Sequence, residues 1–238
     1  MTEGDSQSVL QHLEELRTRL VKAAVFVLIG AVVAFAFRDQ ILAFLEDPYR
    51  EVVGNTDDLA VFRVTEPFSI SMRLALFGGL ILASPAVLYQ SWAFVNPALT
   101  KRERKWAIPL VAIMTVLFLA GVAFGYLTLP RGLEFLLGIQ EGLDNVIGAS
   151  NYISFTLRFL LVFGIAFLFP VFIFAAAAAG LVTSKQLGHW RRWAILIIVV
   201  VGAMVTPSGD PLTLLALAVP LYLFYEITLW LVKLILRK

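Results

Sequence analysis

Cysteine is absent from the 238 residues. Disulfides, thiolate catalysis and cysteine-based metal centres are thereby excluded. Histidine occurs only as His12 and His189, which leaves little for a metal cluster or a catalytic triad. Charge is scarce too: Asp, Glu, Lys and Arg make up 15% of the chain, while 60% is hydrophobic. A soluble domain carries about 25% charged and roughly 45–50% apolar residues. The deficit excludes a disordered chain. It also argues against a soluble enzyme, because a water-soluble fold of this size could not hide so much apolar surface. A formal net charge of +2 is too small to point to nucleic acid as a partner. What the chain has instead is a mean hydropathy of +0.86, which points to a polytopic membrane protein in a lipid bilayer.

A helix crosses the hydrocarbon core in about 20 residues. Charge-poor stretches predict spans at about 20–37, 74–96, 106–130, 157–181, 193–206 and 211–235. The expected fold is all-α, with six transmembrane helices in a single domain over residues 1–238. Pro85, Pro170 and Pro220 fall inside these stretches and predict kinks rather than helix ends. The fifth and sixth helices are expected to be short. The apolar core Trp193–Val205 would reach only roughly 20 Å against a core of about 30 Å. Asp210 and Pro211 read as a cap and first position of the sixth helix. Near the N-terminus, Glu3 and Asp5 argue against a cleaved signal peptide. Ser8-Val9-Leu10-Gln11 reads as a capping box that starts a short amphipathic helix. The loops around Arg38–Arg73 and Arg131–Asn151 carry apolar pieces and are expected to lie on the membrane surface as short helices.

Basic residues set the orientation. With the N-terminus inside, the inner segments hold Arg17, Arg19, Lys22, Lys101, Arg102, Arg104, Lys105, Lys185, Arg191, Arg192, Lys233, Arg237 and Lys238. The outer segments hold Arg38, Arg50, Arg63, Arg73, Arg131 and Arg158, together with most of the acids. Both termini are therefore expected on the cytoplasmic side.

Enzyme readings find no support: neither histidine lies within a span, and no phosphate-cradling glycine loop or metal-ligand cluster is present. A small-solute or ion transporter would need an acid near the midplane, and Glu226 is the one ionised side chain well inside a span. It either faces the bundle interior or lies within reach of Lys233. At the inner face, Glu14, Glu15 and Glu103 stand among basic residues. A carboxylate there could receive the planar fork of an incoming arginine. The spacing also has a plain structural reading. Glu15 and Arg19 are an i,i+4 pair, and Thr100-x-x-Glu103 is a capping box.

Three motifs bear on this choice. His12-Leu13-Glu14-Glu15-Leu16-Arg17 precedes the first span. Ser84-Pro85-Ala86-Val87-Leu88-Tyr89-Gln90-Ser91-Trp92-Ala93-Phe94-Val95-Asn96-Pro97-Ala98-Leu99 is followed closely by Glu103. Thr206-Pro207-Ser208-Gly209-Asp210-Pro211 joins the two short helices. In this order, over essentially the whole chain, the sequence resembles TatC, the multi-spanning receptor subunit of the twin-arginine protein translocase. The resemblance implies a receptor, not an enzyme, and no cofactor or metal. It implies binding of twin-arginine signal peptides on folded cargo, recruitment of the single-span partners TatA and TatB, and export driven by the proton-motive force. It places the protein in a bacterial or archaeal cytoplasmic membrane, as a homo-oligomer within the complex. By match to family motifs, Glu15 and Glu103 contact the two arginines, with Leu16, Arg17 and Phe94 shaping the patch. Pro48 and Pro85 match structural prolines, and Glu66-Pro67-Phe68 matches a pattern in the first outer loop. One position departs from the family: Leu168 stands where a glutamate implicated in partner contact is usual. This raises the alternative of a TatC variant impaired in partner assembly, with Gln90 and Glu226 left as polar anchors for a partner helix.

Overall fold

The structure, a computed structural model, describes residues 3–54, 59–95, 104–138, 146–178, 180–205 and 211–236. Among the described residues it is helical except for turns and one isolated parallel bridge between Ala60 and Gly148. The helices are α1 (Glu3–Ala36), α2 (Arg38–Val53), α3 (Glu66–Val95), α4 (Arg104–Gly138), α5 (Ala149–Ala166), α6 (Phe169–Ala178), α7 (Ser184–His189), α8 (Arg191–Val205) and α9 (Pro211–Leu231). A π-helical turn, Val232–Leu236, follows α9.

Among the described residues, five segments are long and apolar enough to cross a bilayer: His12–Ala36, Glu66–Phe94, Ile108–Gly138, Ala149–Ala178 and Pro211–Leu234. The stretch expected as the fifth span forms α8, a helix of 15 residues. At 1.5 Å per residue it is about 22 Å long, shorter than the roughly 30 Å hydrocarbon core. Large apolar side chains are exposed on these helices, among them Val32, Ile108 and Met204. Lipid, not water, is the solvent that such a surface fits.

Several local expectations need correction. Helix α1 begins at Glu3, so Ser8 sits inside it and not at a helix start. No proline or glycine interrupts residues 9–22, so the helix runs straight into the apolar stretch. Helix α3 begins at Glu66, eight residues before the expected span, with an acid in the first turn where the helix dipole favours it. Helix α4 continues past Pro130 to Gly138, so the loop after it starts later than expected. In the first outer segment α2 is helical, whereas Leu59–Phe62 is not. The fourth span breaks at Phe167 and Leu168, and Pro170 is the second residue of α6. Proline lacks the amide hydrogen that a continuous helix would use but is tolerated in a first turn, so the break falls just before it.

The chain divides into two compact units, Met1–Phe44 with Thr65–Val116 and Leu45–Val64 with Leu117–Lys238. In the first, α1 packs along α3. Their closest approach is made by glycines: a Cβ on Gly30 would lie 2.7 Å from the Gly79 carbonyl oxygen, so only a missing side chain lets the two backbones touch. Pro85 sits inside α3 and deprives the Ile81 carbonyl of its usual amide donor. The buried Ser84 hydroxyl donates to that same Ile81 oxygen at 2.7 Å and replaces the lost bond. The Ser-Pro pair is thus a self-compensating kink.

In the second unit a column of aromatic rings organises the core. Phe159 and Phe163 stand 4.7 Å apart, Phe124 lies 5.5 Å from Phe167, and Phe167 meets Phe224 edge-on at 4.9 Å. A clasp ties α2 to α5: the Tyr152 hydroxyl donates to the Leu45 carbonyl at 2.7 Å, and the Tyr49 and Tyr152 rings pack at 5.2 Å. Next to it, Ala149 N–H donates to the Ala60 carbonyl, and Ala60 N–H to that of Ile147. A second apolar cluster joins Ala177, Leu187, Ala194, Tyr225, Leu229 and Val232.

Candidate functional site

In the first unit, the N-terminal part of α1 meets the C-terminal end of α3. His12 stacks on Phe94 with ring centroids 4.6 Å apart and planes 19° from parallel. His12 is exposed and Phe94 half-buried. One turn further along α1, Glu15 Oε1 accepts hydrogen bonds from Arg19 Nε at 2.9 Å and Nη2 at 2.6 Å. Glu15 Oε2 accepts none among the described residues. The two side chains are 32% and 25% exposed, so solvent screens the pair and it contributes little to the fold, about 0–1 kcal/mol. Glu14, Glu15, Thr18, Arg19 and Lys22 line an open polar concavity of about 440 Å³. Leu16 is 40% exposed and Arg17 is exposed beside it. A half-exposed carboxylate with one oxygen unengaged among the described residues, flanked by apolar and aromatic surface, can accept a further cationic donor.

The structure therefore brings Glu15 and Phe94 of the expected patch into one neighbourhood through the His12 stack. Glu103, together with Thr100, lies outside the described residues. Asp210 lies outside them as well. Gln90 is half-buried near the end of α3, and Glu66 is half-buried at its start. Pro48 is buried inside α2, and Pro85 is exposed inside α3. Leu168 is buried, 5% exposed, at the turn between α5 and α6.

In the second unit, Glu226 has a partner the sequence did not suggest. Arg191 grips it with two bonds, Nε to Oε1 at 2.7 Å and Nη2 to Oε2 at 2.8 Å. The Tyr222 hydroxyl donates to Oε1 at 3.0 Å. The carboxylate raises the Arg191 guanidinium above its ordinary value, first through this hydrogen bond and then through its charge. Lys233, the partner considered from the sequence, lies instead over the Trp230 ring at 5.6 Å. A carboxylate with both oxygens engaged is a poor carrier for a solute ion. Beside it, the Tyr225 hydroxyl donates to the Leu187 carbonyl at 2.6 Å and fixes α7 to α9. Helix α7 itself opens with a reciprocal cap between Thr183 and Gln186. Tyr222 and Glu226 stand four apart on one helix, a readable signal, whereas Arg191 is 35 residues away and becomes a neighbour only when α8 and α9 pair.

Comparison with known proteins places this geometry among relatives. The family model "Sec-independent protein translocase protein (TatC)" matches residues 11–220. A curated relative of that name from Aquifex aeolicus is 39% identical over 236 residues, covering 96% of this chain and 95% of its own. One from Frankia casuarinae is 36% identical, covering 95% of this chain and 66% of its own. A solved structure described as "Crystal Structure of Twin Arginine Translocase Receptor- TatC" superposes with a TM-score of 0.78 at 37% identity. It covers 94% of this chain and 98% of the solved one.

Proposed function

The chain belongs to the TatC family, and from that premise we propose that it is the receptor and core subunit of its translocase. As a family member it is a twin-arginine translocase subunit and a multi-pass membrane protein. In the proposed mechanism a signal peptide approaches from the cytoplasmic side, where both termini lie. Glu15 receives one guanidinium of the arginine pair and Glu103 the other. Leu16, Arg17 and Phe94 shape the surrounding patch. Headgroup-level desolvation strengthens the charge-assisted bonds, each contributing about 1.5–3 kcal/mol. Bound cargo then leads to recruitment of TatA, and of TatB where present, with the proton-motive force driving export. In this reading α8 serves as the short fifth of six spans, and the bilayer thins locally around the α8–α9 pair.

The observation that carries the reading is the state of the Glu15 carboxylate. It already holds a guanidinium, that of Arg19, on one oxygen, and among the described residues its other oxygen accepts no bond. The test is crosslinking of a twin-arginine signal peptide to the protein in inverted membrane vesicles. Glu15→Ala and Glu103→Ala should each weaken the crosslink, and the double variant should abolish it. Undiminished crosslinking in the double variant would remove both residues from the site.

A further inference from the structure

The motif that contains Glu15 opens with His12, to which the proposed reading gives no role. We propose that the stacked rings of His12 and Phe94 form an aromatic platform that takes the flat face of the guanidinium whose edge Glu15 holds. The inference rests on the reading of Glu15 given above. His12 and Glu15 are three apart on α1, so their side chains are neighbours, with Cβ atoms roughly 5–6 Å apart. The ring of Phe94, from α3, lies parallel to the imidazole at 4.6 Å. The carboxylate and the ring pair thus present two different surfaces to one ligand: an acceptor edge and a π-face. A guanidinium matches both, because it is planar, donates from its edge and stacks on aromatic rings. An ammonium has no flat face and no fork. The platform therefore adds to the preference for arginine over lysine that the fork on Glu15 begins.

Holding α1 to α3 does not require the stack. The two helices already touch backbone to backbone at Gly30 and Gly79, five turns along α1. His12 also remains exposed, which a ring serving only as packing has no need to be.

The experiment measures binding of two labelled signal peptides, one with the adjacent arginines and one with both replaced by lysine. The full chain is held in nanodiscs, as wild type, His12→Phe, His12→Leu and Glu15→Gln. Leucine keeps apolar packing against Phe94 but removes the π-face; phenylalanine keeps the π-face. His12→Leu should weaken the arginine peptide about two- to fivefold and leave the lysine peptide unchanged, and His12→Phe should bind as wild type. The inference is overturned if His12→Leu binds the arginine peptide as wild type does. It is equally overturned if His12→Leu weakens both peptides by one factor, or if His12→Phe fails along with it. The underlying reading fails separately, and takes the platform with it, if Glu15→Gln leaves arginine-peptide binding intact.

Discussion

Two acid–arginine pairs in this chain look alike, and in the proposed reading they serve opposite purposes. Glu15 and Arg19 are four residues apart on a single helix, and one carboxylate oxygen carries both bonds. Glu226 and Arg191 come from different helices, use both oxygens, and recruit Tyr222 as a third donor. The local pair forms whenever α1 is helical and holds nothing else together. The distant pair forms only when α8 lies against α9, so it reports and stabilises that packing. A carboxylate with an open oxygen can exchange partners with a ligand. One that is fully engaged belongs to the scaffold. The comparison teaches that acid–base pairing alone does not mark a site; in the proposed reading, spare hydrogen-bonding capacity together with a neighbouring ring stack does.

The largest effect that could break this contrast is on ligand binding. The double variant Glu15→Ala, Glu103→Ala should lose signal-peptide affinity by about 100-fold or more, with an unchanged melting curve in detergent. Next comes Glu226→Ala, which leaves the Arg191 guanidinium without its carboxylate. Its melting temperature should fall by several degrees, roughly, while peptide affinity stays within about twofold. A charge swap sharpens the same point. Arg191→Glu with Glu226→Arg should recover most of the lost melting temperature, because a cross-helix pair works in either polarity. Glu15→Arg with Arg19→Glu should keep the fold and still lose the peptide, because there the polarity faces a ligand. The smallest effect belongs to the Ser-Pro kink. Ser84→Ala should cost about 1 kcal/mol of stability by leaving the Ile81 carbonyl unpaired, and adding Pro85→Ala should restore it.

Much of this was legible in the sequence, and what was not has a common cause. Scarcity of charge located the long helices, because the bilayer penalises ions far more than it prefers any one helix length. Boundaries shifted where propensity continued beyond the apolar stretch. Helix α4 crosses Pro130 and α3 starts at Glu66, since aqueous residues at an interface extend a helix freely. The motif containing Glu15 was readable, and so was its i,i+4 partner. The ring stack of His12 on Phe94 and the grip of Arg191 on Glu226 were not, because each joins residues far apart in the chain. Pairing across helices depends on rotation and register, which no single segment encodes. The clasp of Tyr152 on the Leu45 carbonyl escaped for the same reason.

The central claim is that Glu15 is a guanidinium receptor, not only a support for α1. Its most direct test is the ratio of affinities for an arginine-pair and a lysine-pair signal peptide, measured on wild type and Glu15→Gln in nanodiscs. The account predicts that wild type favours the arginine pair by about tenfold or more, and that Glu15→Gln brings the ratio close to one. A ratio that survives the substitution unchanged would contradict it.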